Sequence, residues 1–446
     1  MKPSLSSPPL VSGPGRGGLP VCISCYQLVD GDYYCTGCSW QCCGEHCELR
    51  DVHREECEIF KEKNIFAAWD NVDEPTLTMD FMGAHRLLLA IKKEPKLRDL
   101  LKLNMNNDLR KQRYNIKYYV GCEDVITKYI SETCGLTGFT DDEILTALGL
   151  FDILSLPMIN GAKAFYPEVA FMTHSCVPNT YFTINSEGCV LMKASVDIEA
   201  GRPVTRSLVD LMKCNQFRRV ELEKEYFVLD CDCGRCCDGT EFGTFYGGIM
   251  DSQYDKNIFT PRDPKNEHSP WVCDSLPGVE LVGETCRKDL DILRRKCENA
   301  IEETQGNPGT IEFILNNPGE WDLLPRSGQV MMDVKKYLIQ AYGNSFGNTY
   351  DVLENDKIRT KITICEEMIE LYSKFHPGYN YHVAMIHYEA ANAIYALAMK
   401  GDKDLLESGM KHCEKCLKMV QNEESGSMYD QLKLFMLTLS NGLKNM

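Results

Sequence analysis

The sequence predicts an α+β protein of several small domains, with metal-type cysteine clusters beside helical and β-rich segments. Its 446 residues exceed what a single hydrophobic core usually organises. Two stretches of helical periodicity, short apolar runs between them and two crowded groups of cysteines mark changes of architecture along the chain. These changes predict six successive segments, with bounds 1–20, 21–57, 58–157, 158–230, 231–280 and 281–446.

The first segments differ in the local structure that they predict. Residues 1–20 are rich in Pro, Gly and Ser, which is typical of a loop or a short extended entry. Residues 58–157 carry an apolar stripe at helical spacing that ends before Pro95, and this pattern predicts helices. The stripe consists of Met79, Met82, Leu87, Leu88 and Ile91.

The middle of the chain changes to a strand-like pattern. The apolar runs Tyr181–Ile184 and Val190–Met192 are separated by turn residues, so strands are expected over 158–230. Residues 231–280 are rich in cysteine and glycine and show little periodicity of either kind.

The last third predicts an irregular array of helices. Apolar residues recur at helical spacing from Ile386 to Leu397, and Gly401-Asp402 then supplies a helix stop and a new N-cap. Short connections of this kind favour antiparallel stacking similar to tetratricopeptide units, although the sequence has no repeat of that length. Cys413 and Cys416 fall inside this array and are predicted to lie on a helix surface rather than to bind metal.

Charge and hydropathy exclude several classes of protein. The 48 Lys and Arg against 65 Asp and Glu give a net charge of −17, which disfavours direct nucleic-acid binding and suits basic partners such as lysine-rich peptides. The sequence lacks the long apolar run that a transmembrane helix needs, and its N-terminus does not resemble a secretory signal. We therefore expect an intracellular protein that binds no membrane and keeps its cysteines reduced.

The clustering of the 23 cysteines indicates metal binding rather than disulfides. Eight soft or borderline ligands between residues 22 and 57 form four pairs, which is enough for two tetrahedral zinc ions. The ligands are Cys22, Cys25, Cys35, Cys38, Cys43, Cys47, His53 and Cys57. A segment this short has little apolar core, so the metal must supply much of its folding free energy. Cys42 and His46 lie beside these ligands and are interpreted as spares.

The spacing resembles the MYND zinc finger, whereas RING and LIM fingers fit less well. That resemblance implies interleaved pairs, with Cys22, Cys25, Cys43 and Cys47 on one ion. Cys35, Cys38, His53 and Cys57 would hold the other. Because closed four-ligand sites are structural, we expect this module to bind rather than catalyse. MYND fingers are known to bind short proline-rich peptides.

A second set of motifs extends the resemblance to most of the chain. Residues 171–180 read Phe-Met-Thr-His-Ser-Cys-Val-Pro-Asn-Thr, and Cys231-x-Cys233-x-x-Cys236 follows downstream. Beside a MYND-type finger, this layout is similar to that of the SET and MYND domain (SMYD) family, particularly its arthropod members. The resemblance implies a β-rich SET core over 158–230, with a helical insert, a post-SET zinc segment and a helical C-terminal domain.

A third zinc site is implied by the same resemblance. A CxCxxC segment offers three thiolates, so a fourth ligand must come from elsewhere in the chain. The family pattern assigns Cys176 with Cys231, Cys233 and Cys236, while Cys237 remains an alternative fourth ligand. The expected metal content is three zinc ions.

Members of this family transfer a methyl group from S-adenosylmethionine to a protein lysine. Four positions where the family carries cofactor or catalytic residues differ here, namely Leu154, Thr173, Leu208 and Phe227. The family's first segment, with its glycine turn over the cofactor, is expected to be missing, so that 1–20 would be a stub. His174 stays as a candidate for cofactor binding, although a structural role is the stronger interpretation. Tyr226 is a candidate catalytic residue if the register slips by one.

Three functions follow as hypotheses. The first is a zinc-dependent adaptor linked to transcription or chromatin through protein–protein interaction, with weak or absent catalysis, in nucleus or cytoplasm. The second is an active protein-lysine methyltransferase acting on histone or other substrates through Tyr226 and His174. The third, a ubiquitin-ligase-like cross-brace, is disfavoured by the spacing of the ligands.

Overall fold

The structure is a computed structural model of the chain. It describes residues 5–66, 79–117, 123–185, 187–228, 230–254, 257–305, 307–316, 321–345, 347–420 and 428–445. The chain divides into two compact units. The N-terminal unit comprises Ser6–Phe171 and Glu187–Val190, and the C-terminal unit comprises Met1–Leu5, Met172–Ser186 and Leu191–Met446.

The N-terminal unit combines short strands with helices. Its strands are β1 (Leu5–Ser7), β2 (Val11–Gly13), β3 (Leu156–Pro157) and β4 (Lys163–Phe165). Its helices are α1 (Glu45–Glu48), α2 (Asp51–Lys63), α3 (Met82–Lys93), α4 (Asn107–Lys117), α5 (Glu123–Lys128), α6 (Asp141–Leu154) and α7 (Pro167–Ala170). Shorter 3₁₀ turns span Pro95–Lys102 and Ile159–Gly161, and a π-helical turn spans Tyr129–Thr133.

The core of this unit lies where α3 packs on α6. The predicted stripe from Met79 to Ile91 is buried, and α3 ends before Pro95, as expected. Gly83 allows the close approach, because a Cβ there would lie 2.1 Å from the ring of Phe151. Helix α6 begins at a capping box in which Thr140 accepts a hydrogen bond from the backbone of Glu143 and the Glu143 carboxylate accepts one in return.

A small antiparallel sheet lies in the same unit, with strand order β2-β4-β3. Val11 pairs with Phe165, and Leu156 pairs with Ala164. Strand β2 therefore lies within the Pro- and Gly-rich stretch 1–20, for which the sequence predicted a loop or a short extended segment.

The C-terminal unit begins with short strands and continues into helices. Its strands are β5 (Thr173–His174), β6 (Thr180–Ile184), β7 (Val190–Ala194), β8 (Thr205–Arg206), β9 (Ile249–Met250), β10 (Ile258–Pro261), β11 (Trp271–Val272) and β12 (Glu280–Leu281). Its helices are α8 (Asn215–Tyr226), α9 (Gly283–Glu303), α10 (Pro308–Asn316), α11 (Gln329–Ala341), α12 (Asn355–Phe375), α13 (Tyr381–Met399), α14 (Leu406–Val420) and α15 (Met428–Lys444).

The predicted strands are confirmed by β6 and β7, which are hydrogen-bonded neighbours. β5 and β8 form a parallel pair in which His174 is opposite Arg206. β9 to β12 form an antiparallel sheet with strand order β12-β11-β10-β9, which the weak periodicity of 231–280 did not predict. The elements are two to four residues long, too short to produce a periodic pattern.

Helices α12 to α15 pack in succession, as the sequence predicted. Helix α13 ends at Met399 and is followed by Gly401 at φ 91°, and the Asp402 N–H donates to the Leu397 carbonyl at 3.0 Å, so the predicted stop is confirmed. The expectation for Cys413 and Cys416 is wrong in one respect, since both are buried in the helical core. A cysteine behaves as a small apolar residue at such positions.

Candidate metal centres and catalytic residues

The first cluster brings together the first and third ligand pairs of the N-terminal finger. One donor atom from each of Cys22, Cys25, Cys43 and Cys47 lies within 4.8 Å of the others. The Sγ atoms of Cys25 and Cys43 are 3.4 Å apart. Four sulfurs around a tetrahedral zinc ion are separated by about 3.8 Å, given Zn–S bonds of about 2.3 Å. The cluster therefore fits one zinc ion, and its ligand set is the one expected from the resemblance.

The second cluster interleaves with the first along the chain. It comprises Cys35, Cys38, His53 and Cys57, whose donor atoms also lie within 4.8 Å of one another. His53 and Cys57 are four residues apart on α2, so they share one face of that helix. The Nε2 atom of His53 lies 3.4 Å from the Sγ of Cys38, which places that nitrogen in the ligand position.

A buried charge network orients His53. Its Nδ1 lies 3.1 Å from a carboxylate oxygen of Glu56, and the guanidinium of Arg86 pairs with the same carboxylate, with Nε 2.7 Å from Oε2. Arg86 also donates to the carbonyls of Ser12 and Ile23. Nδ1–H donation to a carboxylate makes imidazole a better ligand at Nε2. The finger is thereby tied to α3 through one arginine.

The third cluster joins residues that are distant in sequence. Cys176 follows β5, whereas Cys231, Cys233 and Cys236 follow α8, and their donor atoms lie within 4.8 Å of one another. The Sγ atoms of Cys176 and Cys236 are 3.5 Å apart. Cys237, the alternative fourth ligand, is exposed and lies outside the group. This set again fits one zinc ion, so the three clusters together fit three.

His174 is held within the protein at both ring nitrogens. The Leu208 N–H donates to Nδ1 at 3.1 Å, and Nε2 lies 3.3 Å from the Sγ of Cys176. Burial lowers the pKa of His174 to about 4, so the ring is neutral. Because an amide can only donate, the proton of the ring is on Nε2 and points to the cysteine sulfur. His174 thus supports the third cluster.

Two buried arginines supply positive charge beside the same cluster. Arg218 lies 3.7 Å from the Sγ of Cys236 and 2.7 Å from the carboxylate of Glu241, which also receives Arg235 at 2.8 Å. Glu241 further accepts the N–H of Asn215, the first residue of α8. A guanidinium near a thiolate stabilises its negative charge. The zinc segment and α8 therefore share one ionic network.

Tyr226 ends α8 and packs, together with Leu208, against the apolar cluster around the third cysteine group. Burial raises the pKa of its hydroxyl, while the positive charge of Arg206 acts in the opposite direction. The next residue, Phe227, is buried with φ 56°, a left-handed conformation that ends the helix. Tyr226 is therefore within the electrostatic influence of a buried arginine.

The other positions that differ from the family pattern have ordinary structural surroundings. Leu154 packs against the apolar core of the N-terminal unit. Thr173 is exposed on β5 and pairs with Thr205. Of the two spares, Cys42 is buried outside the clusters, and His46 has Nε2 3.3 Å from the Sγ of Cys47.

Sequence reasoning named the residues that the structure brings together in the three clusters but missed the residues that surround them. Glu56, Arg86, Arg218 and Glu241 carry no motif, although Glu56 stands three residues after His53 on a helix and could have been suspected. Arg206 was missed because a charged residue in a short strand usually faces solvent.

Comparisons with known proteins agree with this architecture. Residues 41–207 match the family model of the SET domain. SET domain-containing protein SmydA-8, isoform A, from Drosophila melanogaster is 24% identical over 283 residues, which cover 60% of this chain and 59% of that protein.

Two vertebrate proteins are similar over shorter lengths. N-lysine methyltransferase SMYD2-B from Xenopus laevis is 26% identical over 235 residues, 48% of this chain and 50% of the relative. Histone-lysine N-methyltransferase SMYD3 from Homo sapiens is 33% identical over 86 residues, 19% of this chain and 20% of the relative. The matched part therefore spans less than two thirds of each of these proteins. Within the described residues, none of the helices is both long and apolar enough to cross a membrane.

Proposed function

We propose that this chain, which belongs to the SET and MYND domain (SMYD) family, is a zinc-dependent adaptor with weak or absent methyltransferase activity. Its role would be regulatory, in transcription or at chromatin, through protein–protein interaction in the nucleus or cytoplasm. The proposal rests on intact metal clusters beside positions that lack the polar groups of the family's reaction.

The first part of the proposal concerns the ligands. Zinc would be held by Cys22, Cys25, Cys43 and Cys47, by Cys35, Cys38, His53 and Cys57, and by Cys176, Cys231, Cys233 and Cys236. Support comes from the close approach of the donor atoms and from the buried partners of His53 and Cys176. Such partners hold ligands in the geometry that the metal requires.

The observation that carries the adaptor proposal is the buried guanidinium of Arg206, whose positive charge acts on the Tyr226 hydroxyl. Both reactants of lysine methylation are cationic in water, since the cofactor is a sulfonium and the free lysine has a pKa of about 10.4. A buried positive charge at the candidate catalytic tyrosine disfavours both. Phe227 lacks a hydroxyl, and both ring nitrogens of His174 are already engaged. The residues present therefore fit S-adenosylmethionine poorly.

A calorimetric titration tests this proposal. The purified, zinc-loaded chain is titrated with S-adenosylmethionine, and transfer of labelled methyl to histones and to a peptide array is measured in parallel. We expect neither micromolar binding nor transfer, while an active family member run under the same conditions gives both. Micromolar affinity for S-adenosylmethionine would contradict the adaptor proposal.

The alternative function, an active protein-lysine methyltransferase, is favoured by the names of the vertebrate relatives. In that case Tyr226 would serve as the catalytic hydroxyl and His174 would contribute to the cofactor site. Replacing Tyr226 with Phe would then abolish methyl transfer without changing the zinc content. If the unmodified chain is already inactive, this alternative fails at the first measurement.

The partners belong to the same proposal. A MYND-type finger would bind short proline-rich peptides, and the net charge of −17 suits lysine-rich protein partners elsewhere on the surface. Direct nucleic-acid binding and membrane binding are not expected.

A further inference from the structure

The C-terminal unit contains a cavity of about 330 Å³ between strand and helix elements. Its walls come from β6, from β8 and the residues after it, and from the connection between α12 and α13. This volume is at the lower end of the range for sites that hold a small ligand or a single side chain. All of its lining residues belong to one compact unit.

Arg206 is the residue of this cavity whose unpaired charge indicates a bound ligand. It lines the cavity and is only 5% exposed, yet its Nε and Nη2 atoms have no hydrogen-bond partner among the described residues. Its backbone is fixed, because β8 pairs with β5 and the Ser175 N–H donates to the Arg206 carbonyl at 2.9 Å. A buried guanidinium without an acceptor is costly, and the cost is removed by an anion.

Two further residues that line the same cavity carry a buried nitrogen without a hydrogen-bond partner among the described residues. Asn380, 3% exposed, uses Oδ1 to cap α13 by accepting the His382 N–H, while its Nδ2 has no partner within the described residues. His376 lines the cavity as well, and its Nε2 is buried without a partner in the same part of the chain. An amide, an imidazole and the guanidinium therefore belong to residues that line one cavity.

The rest of the wall mixes aromatic and aliphatic side chains with hydroxyl groups, one carboxylate and the imidazole of His382. Tyr181, Phe182 and Tyr381 line the cavity. Asp210 also lines it, but this residue is exposed and its Oδ1 accepts the Met212 N–H at 2.8 Å. The cavity thus combines a planar cationic fork with a partly apolar surround, which matches a carboxylate on an apolar stem.

We propose that this cavity binds the carboxylate of a peptide, with Arg206 as the cationic fork and Asn380 as a second donor. The ligand is an isolated acidic residue among apolar neighbours, because the net charge of −17 repels a strongly acidic segment. The inference rests on the proposed adaptor function in treating the cavity as a binding site rather than a reaction channel. It names the ligand class that such an adaptor takes.

Calorimetry with short capped peptides tests the proposal. The zinc-loaded chain is titrated with acetyl-Ala-Glu-Ala-amide, with the same peptide carrying Gln or Lys in place of Glu, with acetyl-Ala-Ala-Ala bearing a free C-terminal carboxylate, and with inorganic phosphate. A peptide with a carboxylate should bind at least about tenfold more tightly than the Gln and Lys peptides, since a charge-assisted pair contributes about 1.5–3 kcal/mol. Comparison of the two carboxylate peptides identifies whether a side chain or a terminus is preferred.

Variants locate the site. Arg206→Met should lose at least about tenfold in affinity for the carboxylate peptide. The control Arg202→Met lies in the same stretch, with a side chain that is 74% exposed, and should bind as the unmodified chain does. Thermal melting checks that both variants fold, and the comparison of Glu with Gln on the unmodified chain needs no variant.

Several results would overturn the proposal. These are equal or tighter binding of the Lys or Gln peptide, binding of phosphate alone, unchanged affinity in Arg206→Met, and no saturable heat at millimolar peptide. The titration with S-adenosylmethionine is a separate measurement, so failure of the adaptor proposal is distinguishable from failure of the carboxylate site.

Discussion

At the scale of single residues, two buried glutamates organise the surroundings of the metal clusters. Glu56 lies between His53 and Arg86 in the N-terminal unit, and Glu241 lies between Arg218 and Arg235 in the C-terminal unit. Each carboxylate neutralises a buried arginine and is linked to a ligand position at the same time. Removing either one leaves a buried positive charge without its partner, which is more damaging than losing the pair entirely.

We expect Glu56→Gln to weaken the second metal cluster. Arg86 would lose its ion pair, so the free energy of unfolding should fall by about 3–5 kcal/mol. His53 would lose its carboxylate acceptor, so zinc affinity at this cluster should fall by about 10–100-fold. Competition with a chromogenic chelator measures the affinity, and urea denaturation measures the stability.

A matched control is available on the same helix. Glu55 forms a surface pair with Lys93 at 2.5 Å, and both side chains are substantially exposed. Glu55→Gln should therefore change stability by no more than about 1 kcal/mol and leave zinc binding intact. Equal losses of stability and zinc affinity in the two variants would contradict the role assigned to the buried pair of Glu56 and Arg86.

At the scale of elements, α8 and the cysteine-rich tail are joined by charge as well as by metal. Glu241 accepts the first N–H of α8 from Asn215, while Arg218 on the helix reaches toward Cys236. Burial acts to raise the pKa of Glu241, but the charges of Arg218 and Arg235 outweigh it and hold that pKa below its usual range. This carboxylate therefore stabilises the fold at neutral pH and loses that contribution as acid protonates it.

We expect Glu241→Gln to lower the free energy of unfolding by about 3–5 kcal/mol at neutral pH. Because the lowered pKa belongs to the folded state, the stabilisation is present above the ordinary value of about 4.3 and disappears as the pH falls below it. The difference between the unmodified chain and the variant should accordingly shrink in acid. Denaturation curves at neutral and acid pH measure it.

Glu221→Gln is the control for this element, since Glu221 on α8 forms a more exposed pair with Lys213 at 2.8 Å. Its effect should stay within about 1 kcal/mol. A constant difference between Glu241→Gln and the unmodified chain across the same pH range would contradict the assigned role of the carboxylate.

At the scale of the whole molecule, metal and helical packing stabilise different parts of the chain. The finger has the short helix α1, the start of α2 and isolated β-bridges, so its two clusters take the place of an extended core. The helices from α9 to α15 bury a continuous apolar cluster together with a few residues of the preceding segment. Among the described residues, this cluster contains none of the predicted zinc ligands. Removal of zinc should therefore affect the finger and the third cluster far more than the C-terminal helices.

Elemental analysis of the purified chain should find three zinc ions per molecule, one for each cluster. Cys176→Ser should reduce this number by one, because Cys176 is the ligand that connects β5 to the tail. Cys237→Ser is the control, since Cys237 is exposed, adjacent to a ligand and outside the cluster, and it should retain all three ions. Fewer than three ions in the unmodified chain, with its thiols kept reduced, would contradict the assignment.

The sequence by itself determined which cysteines and histidine of the finger group together, the helical stretches and the strands β6 and β7. Ligand spacing, helical periodicity and the alternation of turns with apolar runs are local properties, so a single chain displays them. Family resemblance pointed to Cys176, whereas spacing alone left Cys176 and Cys237 as alternatives.

Only the tertiary structure decided between those two cysteines, and it alone revealed the networks around Glu56 and Glu241 and the unpaired Arg206. Each of these depends on residues far apart in sequence, such as Glu56 with Arg86 or β8 with the start of α13. Whether a charge is paired, buried or exposed follows from which elements pack around it, and no local pattern encodes that packing.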